Sequence, residues 1–227
     1  MKEIKSDDYS IWMGNNSLSK LEVSSYSKIA ILIDENTKRD CLYKLPKIEN
    51  SLIIEIPSGE ENKNISTCNF IWEKLTENQF DRNSLLINLG GGVIGDMGGF
   101  CSSTYKRGID FIQIPTTLLA MVDASFGGKL GVDFKDLKNQ IGVFNNPESV
   151  LIDPEFLQTL HVNELKSGFA EVVRHALIAS VSIVGDTRGS VVSRLSVILN
   201  ERSPGRFVIA TLFVSLTLEA MTLGESK

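Results

Sequence analysis

The stretch Leu85-Leu86-Ile87-Asn88-Leu89-Gly90-Gly91-Gly92-Val93-Ile94-Gly95-Asp96 decides the fold. An apolar run stops at three glycines, and an acidic residue follows a fourth. That order reads as a buried parallel strand, a tight turn and the start of a helix. Gly90, Gly92 and Gly95 have the G-x-G-x-x-G spacing, in which bare backbone approaches a pyrophosphate at a helix N-terminus. The same spacing serves plain strand–helix connections, so the flanking segments must decide between the two.

Working outward, Ile29 to Ile33 is an apolar run ending in Asp34, and Leu52 to Ile56 is another ending in Pro57-Ser58-Gly59. Between Ile65 and Leu75 the apolar residues Ile65, Cys68, Ile71, Trp72 and Leu75 recur at helical spacing, and Phe111 to Pro115 forms a further strand-like run. Strands separated by helices in this rhythm predict an α/β fold with a doubly wound, Rossmann-like, mostly parallel sheet. Ligands of such sheets sit outside the carboxyl ends of the strands, where Ser58-Gly59, Gly90 to Asp96 and Pro115-Thr116-Thr117 all fall. Past Asp153 the pattern turns helical, over Pro154 to Leu160 and Glu164 to Ala179, with Ser167, Gly168 and Ala170 small enough for close packing. The expected division is an α/β unit over 1–153 and a helical unit over 154–227.

Composition sets outer limits. A net charge of −5 over 227 residues argues against a nucleic-acid surface, which needs a basic stripe. Cys41, Cys68 and Cys101 are odd in number and widely spaced, as expected of reduced structural thiols. Met1 to Asp8 is too polar for a signal peptide, and the apolar run Phe207 to Leu218 is shorter than the roughly 20 residues of a membrane span. The expectation is a cytoplasmic protein with no membrane and no nucleic-acid partner.

Several segments offer chemistry. Thr116 and Thr117 project hydroxyls and amides at a strand end, either for a cofactor or to cap a helix. Gly127-Gly128-Lys129 supplies bare amides and one mobile cation, suited to a phosphate or to a surface hairpin turn. Arg107 and Lys138 add cations near loops, and these segments are expected to converge on one sheet edge. Glu171 shares a helix face with Arg174 and His175. That is either an ordinary ion pair or a metal ligand beside a substrate-binding cation. Glu171 and His175 supply at most two ligands, whereas catalytic zinc generally takes three from protein.

Gly90 to Phe100, Tyr105 to Gly108, Pro115 to Leu119, Asp123 to Lys129, Lys138 to Gly142 and Ser167 to Ala176 together resemble the 3-dehydroquinate synthase family, from about Pro57 to Ala179. The resemblance implies an NAD-dependent, phosphate-eliminating lyase of the shikimate pathway. Its small anionic sugar-phosphate substrate, 3-deoxy-arabino-heptulosonate 7-phosphate, is cyclised to 3-dehydroquinate. The family's NAD contacts correspond to Ser58, Gly59, Glu60, Glu61, Asn62, Lys63, Gly92, Val93, Ile94, Gly95, Asp96, Thr116, Thr117, Lys129, Lys138, Phe156, Leu157, Gln158 and Thr159. Arg107, Asp123, Lys129, Lys138, Asn139 and Arg174 fall on substrate-handling positions. Glu171 falls on a ligand of the divalent metal, zinc or cobalt, that polarises the oxidised oxygen as a Lewis acid.

Two departures stand out. Arg174 replaces the family's usual lysine, which keeps the charge but loses the compact ammonium. No histidine follows His175, although the family draws two metal ligands from that region, and Leu212 and Leu216 stand roughly where an i,i+4 pair belongs. The helical unit is therefore read as truncated, and divergent after about residue 179. The tail's apolar surface is expected to be exposed or buried in a homodimer. Activity is expected to be impaired, with an inactive NAD-binding remnant, another sugar-phosphate cyclase or a glycerol-type dehydrogenase as the alternatives.

Overall fold

The computed structural model describes residues 1–6 and 8–183. In chain order the strands and helices are β1 (Lys2–Lys5), β2 (Ser10–Met13), β3 (Ile29–Asp34), α1 (Glu35–Asp40), β4 (Leu52–Ile56), α2 (Ile65–Glu77), β5 (Leu85–Gly90), α3 (Gly92–Thr104), β6 (Asp110–Pro115), β7 (Lys129–Phe134), β8 (Leu137–Phe144), β9 (Ser149–Ile152) and α4 (Val162–Ile183). Seven strands form one sheet in the order β1-β2-β9-β6-β5-β3-β4, parallel throughout except for β1 against β2. The expected doubly wound α/β fold is what the chain adopts.

Strand β5 is central, and all six of its residues are buried, as a parallel strand covered on both faces requires. The period-2 alternation divides its neighbourhood cleanly. Ile31, Ile33, Ile87, Ile112 and Ile114 face one core, closed by Met121, Val122, Phe156 and Val172. Ala30, Leu32, Leu86 and Phe111 face the other, closed by Cys68, Ile71 and Leu75 of α2 and by Ile94, Met97 and Phe100 of α3. Two polar side chains, Asn88 and Gln113, also point toward α3, and glycines make room for them. Gln113 Nε2 donates to the Gly95 carbonyl at 3.0 Å, and a Cβ on Gly98 would collide with the Asn88 amide. The fourth glycine of the opening motif thus serves helix–sheet packing.

β7 and β8 form a separate antiparallel hairpin that sequence periodicity had not suggested. β8 is mostly exposed, so it lacks the apolar alternation that marks a strand. Its place is secured by the loop before α2. Asp133 N donates to the Lys63 carbonyl at 2.9 Å, and Lys63 Nζ donates to Asn139 Oδ1 at 2.7 Å.

After Ile152 the described chain is helical, first as a 3₁₀ segment, Pro154–Thr159, and then as α4. Gly168 lies against the Leu118–Leu119 backbone, whereas Ser167 and Ala170 are exposed and take no part in that contact. All three cysteines are free and buried, and burial pushes the Cys41 thiol up to about 11. The apolar run Phe207 to Leu218, Leu212 and Leu216 lie outside the described residues. Among the described residues no helix is long and apolar enough to cross a membrane.

Candidate active site

Strand β5 ends at Gly90, Gly91 caps α3 without a side chain, and the helix opens at Gly92. The first amides of α3 therefore face outward, and the helix dipole adds partial positive charge. Beyond them lies a cavity of about 690 Å³ at the carboxyl edge of the sheet. Twelve of the expected cofactor contacts line it: Ser58, Gly59, Glu60, Lys63, Gly92, Val93, Ile94, Asp96, Thr116, Thr117, Phe156 and Thr159. Glu61, Asn62, Gly95, Leu157 and Gln158 do not. Thr117 Oγ1 also accepts the Ala120 amide at 3.2 Å, so the capping reading of that threonine holds alongside its place in the wall.

A second cavity, about 510 Å³, is lined by Asp123, Lys129 and Asn139 among others. Asp96 and Ala124 belong to both cavities, so the two meet there. At that junction Lys63 Nζ lies 2.5 Å from Asp96 Oδ2, with the lysine side chain 5% and the aspartate 19% exposed. Desolvation nevertheless dominates, and the Asp96 carboxyl titrates above the usual range despite the ammonium beside it. Lys138 lines neither cavity; its Nζ pairs with Glu60 Oε1 at 3.1 Å, joining the hairpin to the rim of the first.

A helical turn of π geometry, Ala120–Ala124, carries Asp123 toward α4. On α4, Arg174 Nε donates to Glu171 Oε2 at 2.6 Å, and His175 Nε2 lies 3.8 Å from the same oxygen and 3.5 Å from Asp123 Oδ1. Among the described residues no three His, Cys, Asp or Glu side chains stand arranged to hold a metal ion.

Arg107 is the misplaced member of the expected cluster. It follows α3, which starts at the carboxyl end of β5 and runs about 20 Å back across the sheet. Asp110, just beyond it, pairs with Leu85 at the amino edge. Within this chain, Arg107 is thus at the opposite edge from Asp123, Lys129 and Asn139. A helix of that length reverses the edge, and loop proximity in sequence does not register it.

Other cavity-lining residues had no assigned role: Asp34, Asn36, Thr37, Arg39, Asp40, Cys41, His161 and Glu164. Asp34 carried a usable signal, being an acidic residue at the end of a strand neighbouring the glycine turn. His161 and Glu164 carried none, because only the packing of α4 brings its first turn to the cavity.

A mostly parallel α/β sheet with a glycine turn opening on a paired cavity defines a doubly wound fold of the dinucleotide-binding type. The same fold occurs in 2-deoxy-scyllo-inosose synthase complexed with carbaglucose-6-phosphate, NAD+ and Co2+ (TM-score 0.73, 24% identity, covering 93% of this chain and 59% of that one). It occurs also in 2-epi-5-epi-valiolone synthase from Streptomyces hygroscopicus subsp. jinggangensis with NAD+ and Zn2+ bound (TM-score 0.69, 25% identity, 93% and 60% covered). The 3-dehydroquinate synthase N-terminal family model matches residues 53–167. A 3-dehydroquinate synthase of Parabacteroides distasonis is 46% identical over 69% of this chain and 45% of its own length. One from Sulfurovum sp. is 54% identical over 60% and 38%. The chain belongs to the 3-dehydroquinate synthase family, and it spans about half the length of the curated relatives it matches, or less.

Proposed function

We propose that this chain carries the NAD site and much of the substrate site of a 3-dehydroquinate synthase, with a unit boundary near Asp153. The junction of the two cavities at Asp96 carries this reading. A dinucleotide whose pyrophosphate meets the amides at Gly92 would have one end at that junction, beside Lys129, Asn139 and Asp123. The substrate class is a seven-carbon keto-sugar acid phosphate, and the product is 3-dehydroquinate with phosphate released.

The residues present suit NAD, because the start of α3 is a side-chain-free cradle that a Cβ would begin to fill. Bound NAD supplies reversible hydride chemistry, and a divalent ion beside Glu171 supplies Lewis-acid polarisation. The chain's own groups do the rest. Lys129 and Arg174 attract and orient the substrate's anionic groups, Asn139 donates hydrogen bonds through its amide, and Asp123 accepts from ring hydroxyls. Their contribution is position and electrostatics more than covalent chemistry.

Gly92→Val tests the cofactor half. A Cβ at Gly92 meets only Ala124 at 3.5 Å, an ordinary contact, so the fold accommodates a side chain there. Its extra methyls would instead occupy the path of the pyrophosphate. NAD affinity measured by calorimetry is expected to fall at least about tenfold, or 1.4 kcal/mol. Equal affinity in variant and parent would remove the glycine turn from the site.

A second reading, an NAD-binding unit without turnover, draws support from the metal side. The sequence has two histidines, and no three-ligand group is assembled among the described residues. Incubating the protein with NAD, Zn(II) and the seven-carbon substrate separates the readings. Phosphate release without accumulating NADH supports the synthase; NAD binding without phosphate release supports the second reading. Steady NADH production from a polyol would point instead to a dehydrogenase.

A further inference from the structure

Histidine is an uncommon choice to open a helix, yet α4 starts from His161. The Glu164 and Leu165 amides donate to the His161 carbonyl at 3.0 and 3.1 Å. Its Nδ1 accepts the Asn163 amide at 3.3 Å, so the imidazole itself caps the helix. Serine, threonine, asparagine and aspartate do this with a shorter side chain. The cap accounts for one ring nitrogen and leaves the other to be explained.

A neutral imidazole that accepts at Nδ1 carries its proton on Nε2, which makes that second nitrogen a donor. The residue is exposed, and among the described residues its ring makes no other hydrogen bond. It stands in the wall of the first cavity. That wall is rich in acceptors, with the carboxylates of Asp34, Asp40, Glu60 and Glu164 along it. Its two cations are committed, Arg39 Nη2 to Asp40 Oδ2 and Lys63 Nζ to Asp96 Oδ2, each at 2.5 Å. A ligand that brings acceptors of its own needs donors here, and ionised carboxylates provide none.

Chemistry assigns the two ends of a dinucleotide in this cavity. Hydride transfer requires the nicotinamide at the junction with the second cavity, beside Asp96. The adenosine then lies at the other end, where β3 finishes at Asp34, an acidic residue placed to accept from ribose hydroxyls. His161 and Asp34 line the first cavity and have no part in the second. We propose that His161 is a binding residue for the adenosine half of NAD, donating from Nε2 to an acceptor on the purine or its ribose. This contact rests on the reading of the first cavity as an NAD site, and none of the residues matched to the family's NAD contacts supplies it. The ring does two jobs at once: Nδ1 fixes the start of α4, and that bond fixes the direction of Nε2. A serine would cap the helix as well but would not reach the ligand.

Calorimetry with NAD and with ADP, on the full chain and on His161→Ser, tests the contact. NAD and ADP affinity should each fall about three- to tenfold, the effect of losing one neutral hydrogen bond. The denaturation midpoint should not fall, because serine is a good cap in its own right. A histidine that only caps the helix predicts unchanged affinity for both ligands, and that result overturns the assignment. A loss for NAD with none for ADP also overturns it, since the ring would then serve the nicotinamide end. If His161→Ser does not fold, imidazole nitrogen NMR of the parent decides. ADP should shift the His161 Nε2 resonance and leave those of His175 in place; a shift at neither, or at His175 alone, overturns the contact. A parent that binds neither NAD nor ADP counts against the proposed function. A parent that binds both, with affinities untouched by the substitution, counts against His161 alone.

Discussion

Lys63→Met should destabilise the protein by about 3 kcal/mol, the lower end of the cost of breaking a buried ion pair. Lys63 is 4% exposed, and its ammonium holds Asp96 Oδ2 at 2.5 Å and Asn139 Oδ1 at 2.7 Å. Methionine fills the same channel but strands the Asp96 carboxylate in a partly desolvated site. The sign of the pH dependence follows from the direction of the shift. Asp96 titrates above its unfolded value already in the parent, chiefly through desolvation, with Lys63 pulling the other way. The folded state therefore binds the proton more tightly than the unfolded state. That contribution to stability is largest at low pH and fades as pH rises through the folded value. Removing Lys63 moves the folded value further up and widens the window. Denaturant unfolding from pH 8 to pH 5 should show the deficit of Lys63→Met shrinking with acidification. Asp96→Asn added to Lys63→Met should recover most of the loss at pH 8. A deficit that is independent of pH and unchanged by Asp96→Asn would mean the pair contributes packing alone.

Gly168→Val should undock α4. A Cβ at residue 168 would lie 2.6 Å from the Leu119 backbone nitrogen and 2.6 Å from Leu118 Cβ. The obstacle is main chain, which cannot swing aside. Helix propensity opposes this prediction, since glycine inside a helix is worth about 1 kcal/mol less than alanine. Overpacking of a tight contact costs about 1–3 kcal/mol, and valine adds two further methyls, so the clash should win. The helix would then lose the burial of Val172 and His175, and Glu171 and His175 would separate from Asp123. The expected result is a net loss near 2 kcal/mol in unfolding experiments. NAD affinity should change far less, because most of that cavity belongs to the sheet's loops. Gly168→Ala separates the two effects: if it stabilises the protein, propensity has won and the close contact is looser than described.

Much was legible because local patterns carry their own physics. Ile29–Ile33, the run before Gly90 and Phe111–Pro115 are apolar but for Asn88 and Gln113, the composition of strands covered on both faces, whereas Leu52–Ile56 carries Glu55 and exposes alternate residues as the edge strand of the sheet. The 65–75 periodicity marks one buried helix stripe, and the observed α2 buries Cys68, Ile71 and Leu75. Strands β1, β2, β8 and β9 escaped notice for the complementary reason. They are short or mostly solvated, and what defines them is pairing, β2 with β9 far along the chain and β1 and β8 with the strand next to them.

The candidate site divides along the same line. The sequence alone determined the strand–glycine–helix unit and the acidic and basic residues offered near it, since each depends on neighbours within a few positions. Only the tertiary structure decided which of those charges meet. It took Arg107 to the far edge, because a 13-residue helix reverses direction across the sheet. Asp34, His161 and Glu164 came into the first cavity, and Lys63 was buried between Asp96 and Asn139. His175 came within 3.5 Å of Asp123, which lies more than 50 positions earlier in the chain. Periodicity reports which face of an element is apolar. The orientation of one element against another comes from packing, where a single glycine at 168 sets how closely α4 approaches the turn that carries Asp123.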